Sequence, residues 1–197
     1  MPPDLEELLV ADALAWRAWL GENHRREQGV WLVLAKKGVT HPTSLRYDAA
    51  LDEALCHGWI DGQVRKGDER TYRQRFTPRR PRSQWSKRNV AHVQRLLGEG
   101  RMLPAGLAAV EAAKADGRWE DAYEGQAGME VPEDLAAALA ADARAQAAFK
   151  ALTSQNRYAI VYRLTRAKRS ETRARNLARF VEMLVRGETP HRQRRRQ

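Results

Sequence analysis

The chain has 197 residues, 43% hydrophobic and 30% charged, and its 35 Lys and Arg outweigh 25 Asp and Glu for a formal net charge of +10. That length can bury a core as one domain or as two small ones. No apolar run approaches the ~20 residues a membrane-spanning helix needs, and a single cysteine leaves no internal disulfide and fits a reducing compartment. The opening "MPPDLEELLV" is acidic, without the basic-then-apolar order of a signal peptide. A cytoplasmic protein with no membrane insertion is expected. The charge is uneven: residues 1–64, 65–101, 102–149 and 150–197 carry −4, +9, −6 and +11. Such blocks are either a footprint for phosphate or another polyanion, or basic and acidic segments that pack together within the fold.

In chain order, "ELLVA" can form a short first strand. Asp12 then suits the N-cap of a helix through "ALAWRAWLGENH". "GVWLVLAKKG" (29–38) is apolar at both parities, as expected of a strand buried on both faces. "YDAALDEALCHGWI" returns to helical spacing, and Gly58 either ends that helix or lets another backbone approach closely. Asp48, Asp52 and Glu53 are expected on its solvated side or first turn.

Two alternating segments follow. Ile60, Gly62 and Val64 alternate with Asp61, Gln63 and Arg65, and Tyr72, Gln74 and Phe76 alternate with Thr71, Arg73 and Arg75. If like faces like, a hairpin places Val64 opposite Tyr72, Ile60 opposite Phe76, Gln63 opposite Arg73 and Asp61 opposite Arg75. Gly67, Asp68 and Glu69 remain as its loop. In that register Asp61 orients Arg75, and Arg73 is free to meet an anion. The alternative is an exposed sheet face with a weak surface ion pair.

Past the proline-marked "TPRRPRSQ", helical spacing resumes through Trp85, Val93, Leu96 and Leu97, and Pro104 suits the first position of the next helix. Residues 119–131 read as a linker. Helices are then expected after Pro132, after the cap Asp142, and over about 154–168 and 171–186, with residues 189–197 as a disordered basic tail. The expected organisation is an α+β region (1–118), a linker (119–131), a helical region (132–188) and the tail. The fold class is α+β, with a small, largely antiparallel sheet of three or four strands packed with helices, followed by an all-helical C-terminal region.

Recognisable catalytic chemistry is sparse. Cys56 sits in a last helical turn beside His57, and adjacent helical residues point about 100° apart, so it reads as a packing residue rather than a nucleophile. The five histidines show no paired metal spacing, and no phosphate-binding glycine loop, nucleophile elbow or dinucleotide fingerprint is present. No catalytic residue, metal or cofactor is assigned. Trp59, Asp61, Gln63, Arg73, Arg75, Arg79, Trp85 and Lys87 are the candidates for an anionic ligand or a protein partner, since guanidinium forks suit carboxylate and phosphate. Arg157, Lys168, Arg169 and Arg173, on or between two short-linked helices, are candidates for nucleic acid.

"ALCHGWIDG", "RFTPRRPRSQWSKRN", "GRMLPAGLAAVEAAKADGRW" and the stretch from "VPEDLAAALA" to "ARNLARFVEML" resemble the YdeI/OmpD-associated (OmdA, bacteriocin-protection) family of bacterial proteins. The similarity runs from about Trp16 to Gly187. It raises Trp59, Asp61, Gly62, Arg75, Phe76, Pro78, Arg79, Trp85, Ser86 and Lys87, and further along Asn156, Arg157, Ala167, Lys168, Thr172 and Arg173, as motif positions. The resemblance implies protection against bacteriocins and association with a porin, without implying a reaction or cofactor. The leading expectation is a non-enzymatic cytosolic binding protein of that type. The alternatives are a nucleic-acid-binding protein using the C-terminal helices and tail, and an enzyme with a site near Cys56, Trp59 and Asp61.

Overall fold

The structure is a computed structural model and describes residues 5–26, 28–125 and 129–192. The chain divides into two compact units, Met1–Tyr123 and Glu124–Gln197.

The first unit is built on a four-stranded sheet of order β1-β2-β4-β3: β1 (Glu7–Leu8), β2 (Val30–Ala35), β3 (Trp59–Lys66) and β4 (Thr71–Pro78). β1 runs parallel to β2, and the other neighbours are antiparallel. All six residues of β2 are buried. Val30, Leu32 and Leu34 belong to the helix-packed core, while Trp31, Val33 and Ala35 are buried on the opposite face. That second face carries Arg73 and Arg75 of β4, opposite Val33 and Trp31.

Helices α1 (Ala13–Asn23), α2 (Tyr47–Cys56), α3 (Lys87–Gly98) and α4 (Pro104–Ala115) complete the unit. Asp12 caps α1, its carboxylate accepting from the Ala15 N–H at 2.9 Å, and Ser86 caps α3 through the Asn89 N–H at 3.2 Å. Trp16 and Trp59 are fully buried among Trp19 and Phe76, with ring centroids 5.2–6.3 Å apart. Trp119 to Tyr123, expected as linker, instead close the unit. Trp119 packs edge-on against Trp85 at 4.9 Å, and Tyr123 bridges to Ser86. Large aromatic surface seeks the core more strongly than the flanking acids and glycines resist it.

α2 and α4 meet through their backbones. Gly58 sits at φ +75°, just past the end of α2, where a left-handed residue stops a helix. A Cβ on Gly58 would lie 2.9 Å from the Ala105 carbonyl oxygen, and one on Gly106 would lie 2.4 Å from that of Cys56. Both readings of Gly58 from the sequence therefore apply.

The second unit is helical: α5 (Glu133–Ala141), α6 (Ala143–Ala151), α7 (Ser154–Thr165) and α8 (Ser170–Val185). Its separate core includes Leu135, Phe149, Ile160, Leu164, Phe180 and Leu184. Asp142 breaks the first helix pair and caps α6 through the N–H groups of Arg144 and Ala145. Buried Asn156 binds the backbone of His191 twice, at 2.8 and 3.0 Å, so the segment expected as a tail from residue 189 is anchored at His191. Residues 193–197 of that expected tail lie outside the described residues.

The glycine contact yields a stability prediction. Gly106→Ala forces a methyl into the end of α2 and should cost about 1–3 kcal/mol, as other overpacking changes do. Gly98→Ala, whose methyl meets nothing within 4 Å, should leave stability unchanged or slightly raised. Urea midpoints of the two variants measure the contrast, and equal midpoints would contradict the close approach.

Candidate functional site

The hairpin of β3 and β4 pairs Trp59 with Pro78, Ile60 with Thr77 and Asp61 with Phe76. Beyond a register shift it pairs Val64 with Gln74, Arg65 with Arg73 and Lys66 with Tyr72. None of the four expected pairs forms. The reason is Trp59, which must enter the core beside Trp16 and Phe76, so Asp61 follows it onto the helix-covered face. Towards the hairpin tip the parity is the opposite one, and the β-bulge at Gly62 and Gln63 absorbs the extra residue.

Asp61 and Arg75 therefore lie on opposite faces. Asp61 accepts a 2.8 Å hydrogen bond from the Tyr47 hydroxyl. Burial, with the Asp61 charge and hydrogen bond behind it, raises the Tyr47 pKa well above the usual phenol range. Arg75 lies opposite Trp31 of β2 on the outer face. The roles of the two arginines are exchanged relative to expectation. Arg73 is the paired one, its Nε and Nη2 both donating to the Glu7 carboxylate, the latter at 3.0 Å. Arg75 has a buried Nε with no hydrogen-bond partner among the described residues.

Around Arg75 the outer face opens into a cleft of about 810 Å³, lined by Trp31, Gln63, Arg65, Arg75, Arg79 and Arg80 among others, with no Asp or Glu among the described residues of its walls. The guanidinium of Arg65 lies 4.0 Å from the Trp31 ring centroid, so long basic stems cover the apolar outer face of β2. Gly62 exposes Arg75: a Cβ there would sit 3.7 Å from the Arg75 side chain. The guanidinium of Arg79 stacks 3.5 Å over Trp85 and donates through Nη1 to the Gln84 carbonyl at 3.2 Å. Its Nη2 is a second buried donor without a partner. Burial lowers the Arg79 pKa to about 10, with the Asp61 charge opposing.

The remaining candidates separate. Trp59 is wholly buried, its indole N–H donating to the His24 carbonyl at 2.9 Å. Trp85 is buried under Arg79, and Lys87 is the exposed first residue of α3. Of the nucleic-acid candidates, Arg173 grips Asp134 with two bonds of 2.7 and 2.8 Å and the Leu164 carbonyl with a third. Arg157 donates to the Leu152 carbonyl at 3.2 Å, and Lys168 and Arg169 are exposed just before α8.

Glu53 was expected in solvent but is buried, held by Arg101 at 2.6 Å with Arg17 at 3.8 Å. Asp52 binds His92 at 2.9 Å and Arg95 at 2.7 Å. The spacing of His92 and Arg95, one helical turn apart on α3, is a signal that could have revealed this cluster. Among the described residues no group of three or more His, Cys, Asp or Glu is placed to hold a metal ion, and no helix is long and apolar enough to cross a membrane. The buried Cys56 thiol is pushed up to about 11 by burial, with Glu53 adding to the effect. At about pH 8, iodoacetamide should therefore modify Cys56 at least ~10-fold more slowly in the folded protein than in concentrated urea. A folded-state rate equal to the unfolded one would reopen the thiol as a nucleophile.

Residues 8–109, more than half of the chain, match the family model described as "Domain of unknown function (DUF8412)". Residues 128–187 match the model described as "Bacteriocin-protection, YdeI or OmpD-Associated", OmdA. No curated protein and no solved structure matches the chain. The resemblance to the OmdA family is thus matched over the helical region, whereas "GWIDG" and "RFTPR" lie inside the DUF8412 match. The chain belongs to the DUF8412 family, and its helical region is similar to the bacteriocin-protection, YdeI or OmpD-associated family.

Proposed function

We propose that the protein is a non-enzymatic, cytoplasmic binding protein of the bacteriocin-protection type, and that its α+β unit takes a small anionic ligand in the Arg75 cleft. One observation carries this reading. Among the described residues, a guanidinium whose Nε is buried and unpartnered lies in a cleft with three further arginines and no carboxylate. Leaving a buried donor unmade costs about 1–3 kcal/mol, and a bound carboxylate or phosphate removes that cost with a charge-assisted bond. Asp61 plays no part in the cleft itself. Its charge acts on Arg79 from the helix side of the sheet.

The cleft also bears on the biological setting. A chain with net charge +10 repels cationic peptides, so protection through this protein would work indirectly, by way of an anion or an anionic partner. Nucleic acid is the weaker reading, because Arg157 and Arg173 are committed to carbonyls and to Asp134 within the helical unit.

Calorimetric titration with inorganic phosphate, succinate and duplex DNA across a salt series tests the proposal. Phosphate or succinate should bind with shallow salt dependence, and Arg75→Ala should weaken that binding about 10-fold or more, the equivalent of one charge-assisted hydrogen bond. Gly62→Val, which covers Arg75, should do likewise without loss of stability. Steeply salt-dependent DNA binding that is indifferent to Arg75→Ala would overturn the cleft reading in favour of a many-phosphate surface.

A further inference from the structure

Arg79, Arg80 and Pro81 also line a second concavity of about 350 Å³, with His24, His57 and the α4 residues Ala105 and Ala109 among its walls. It owes its shape to the glycine contact, which brings α4 alongside the end of α2 and sets short alanine side chains opposite the imidazoles. Its volume lies at the small end of the range for ligand sites.

His57 is the informative residue. It is 4% exposed, and its Nδ1 lies 2.8 Å from the Glu53 carbonyl oxygen. A carbonyl only accepts, so Nδ1 carries the proton and the neutral ring presents a lone pair at Nε2. That nitrogen has no partner among the described residues. His24, with its ring 6.0 Å away, likewise places Nδ1 against a carbonyl, that of Leu20 at 3.1 Å. On the other wall, Arg118 is committed to Asp116 and to the Ser83 carbonyl, whereas the buried Nη2 of Arg79 has no partner among the described residues. Among the described residues no carboxylate lines the space. One unpartnered acceptor, on a largely buried ring, and one buried cationic donor thus belong to residues that line a small cavity with alanine methyl groups.

We infer that this concavity binds a small hydroxy-carboxylic acid, its carboxylate on Arg79 and Arg80, its hydroxyl donating to His57 Nε2, and its hydrocarbon part against Ala105 and Ala109. A plain carboxylate leaves the histidine lone pair desolvated and unmatched. An ammonium-bearing ligand meets two arginines. The hydroxy acid satisfies both walls, and discrimination against an analogue lacking the hydroxyl follows from the group that analogue would strand.

The test uses the full chain and long-range ¹H–¹⁵N imidazole spectra, titrated with 3-hydroxybutyrate and 4-hydroxybenzoate and, for comparison, butyrate, benzoate and 4-methoxybenzoate. The hydroxy acids should move the His57 Nε2 resonance and bind about 10-fold or more tightly than their counterparts. Ala109→Leu, which keeps the helix and fills the cavity, should weaken them at least as much. His57→Leu should abolish the preference for the hydroxyl, and because that variant could loosen the end of α2, the wild-type titration decides on its own. Arg75→Ala should leave the His57 response intact, so failure of the first cleft and failure of this site are told apart. An Nε2 resonance unmoved at saturation, equal affinity for hydroxy and deoxy acids, or binding indifferent to Ala109→Leu would each sink the proposal.

Discussion

The placement of Trp59 constrains everything on the outer face of the sheet. Its indole is wholly buried beside Trp16, Trp19 and Phe76 and is tied by its N–H to the His24 carbonyl. Burying a side chain of that size contributes more than any other single choice in the hairpin, so β3 enters the sheet in the parity that Trp59 requires. Asp61 is then carried to the helix side, where Tyr47 meets it, and the bulge at Gly62 and Gln63 returns the strand tip to the opposite parity. Arg75 is left on the outer face without the carboxylate that alternation would have given it. The cleft is a consequence of that displacement.

Among the described residues three buried donors without partners gather near this point: Arg75 Nε, Arg79 Nη2 and Trp85 Nε1. Buried polar groups in native proteins are nearly always paired, and an unpaired one works against folding. These three cluster along β4 and the connection after it, and local conflict with folding rules concentrates where function is served. Elsewhere the first unit pairs its charges: Asp52 with Arg95, Glu53 through one oxygen with Arg101, and Arg73 with Glu7. On the outer face Arg65 lies over Trp31, which places a cation on apolar surface.

The helical unit uses its basic residues differently. Arg173 joins α8 to the start of α5 through Asp134 and to the end of α7 through the Leu164 carbonyl, while Asn156 fastens the chain after α8. These motif positions act as clasps within their own unit. A block of positive charge in sequence is therefore a poor guide to free cations in space, because a guanidinium can satisfy carbonyls and carboxylates at the same time.

Local signals determined a great deal by themselves. The α+β class, the run of elements, the caps at Asp12 and Asp142, the two-sided burial of β2 and the likeness of the helical region to its family could all be read from residue order. Periodicity, capping and motif similarity act over a few residues or along the chain, and here nothing distant opposed them. Tertiary structure alone decided the face of Asp61, the freedom of Arg75, the burial of Glu53 and the tautomer of His57. Alternation is only a two-way choice, and the core claimed Trp59 more strongly than Ile60, which reversed it. Glu53 is buried because Arg17 and Arg101 arrive from other elements to pair with it. The cavity at His57 exists because two glycines far apart in sequence let α2 and α4 touch through their backbones.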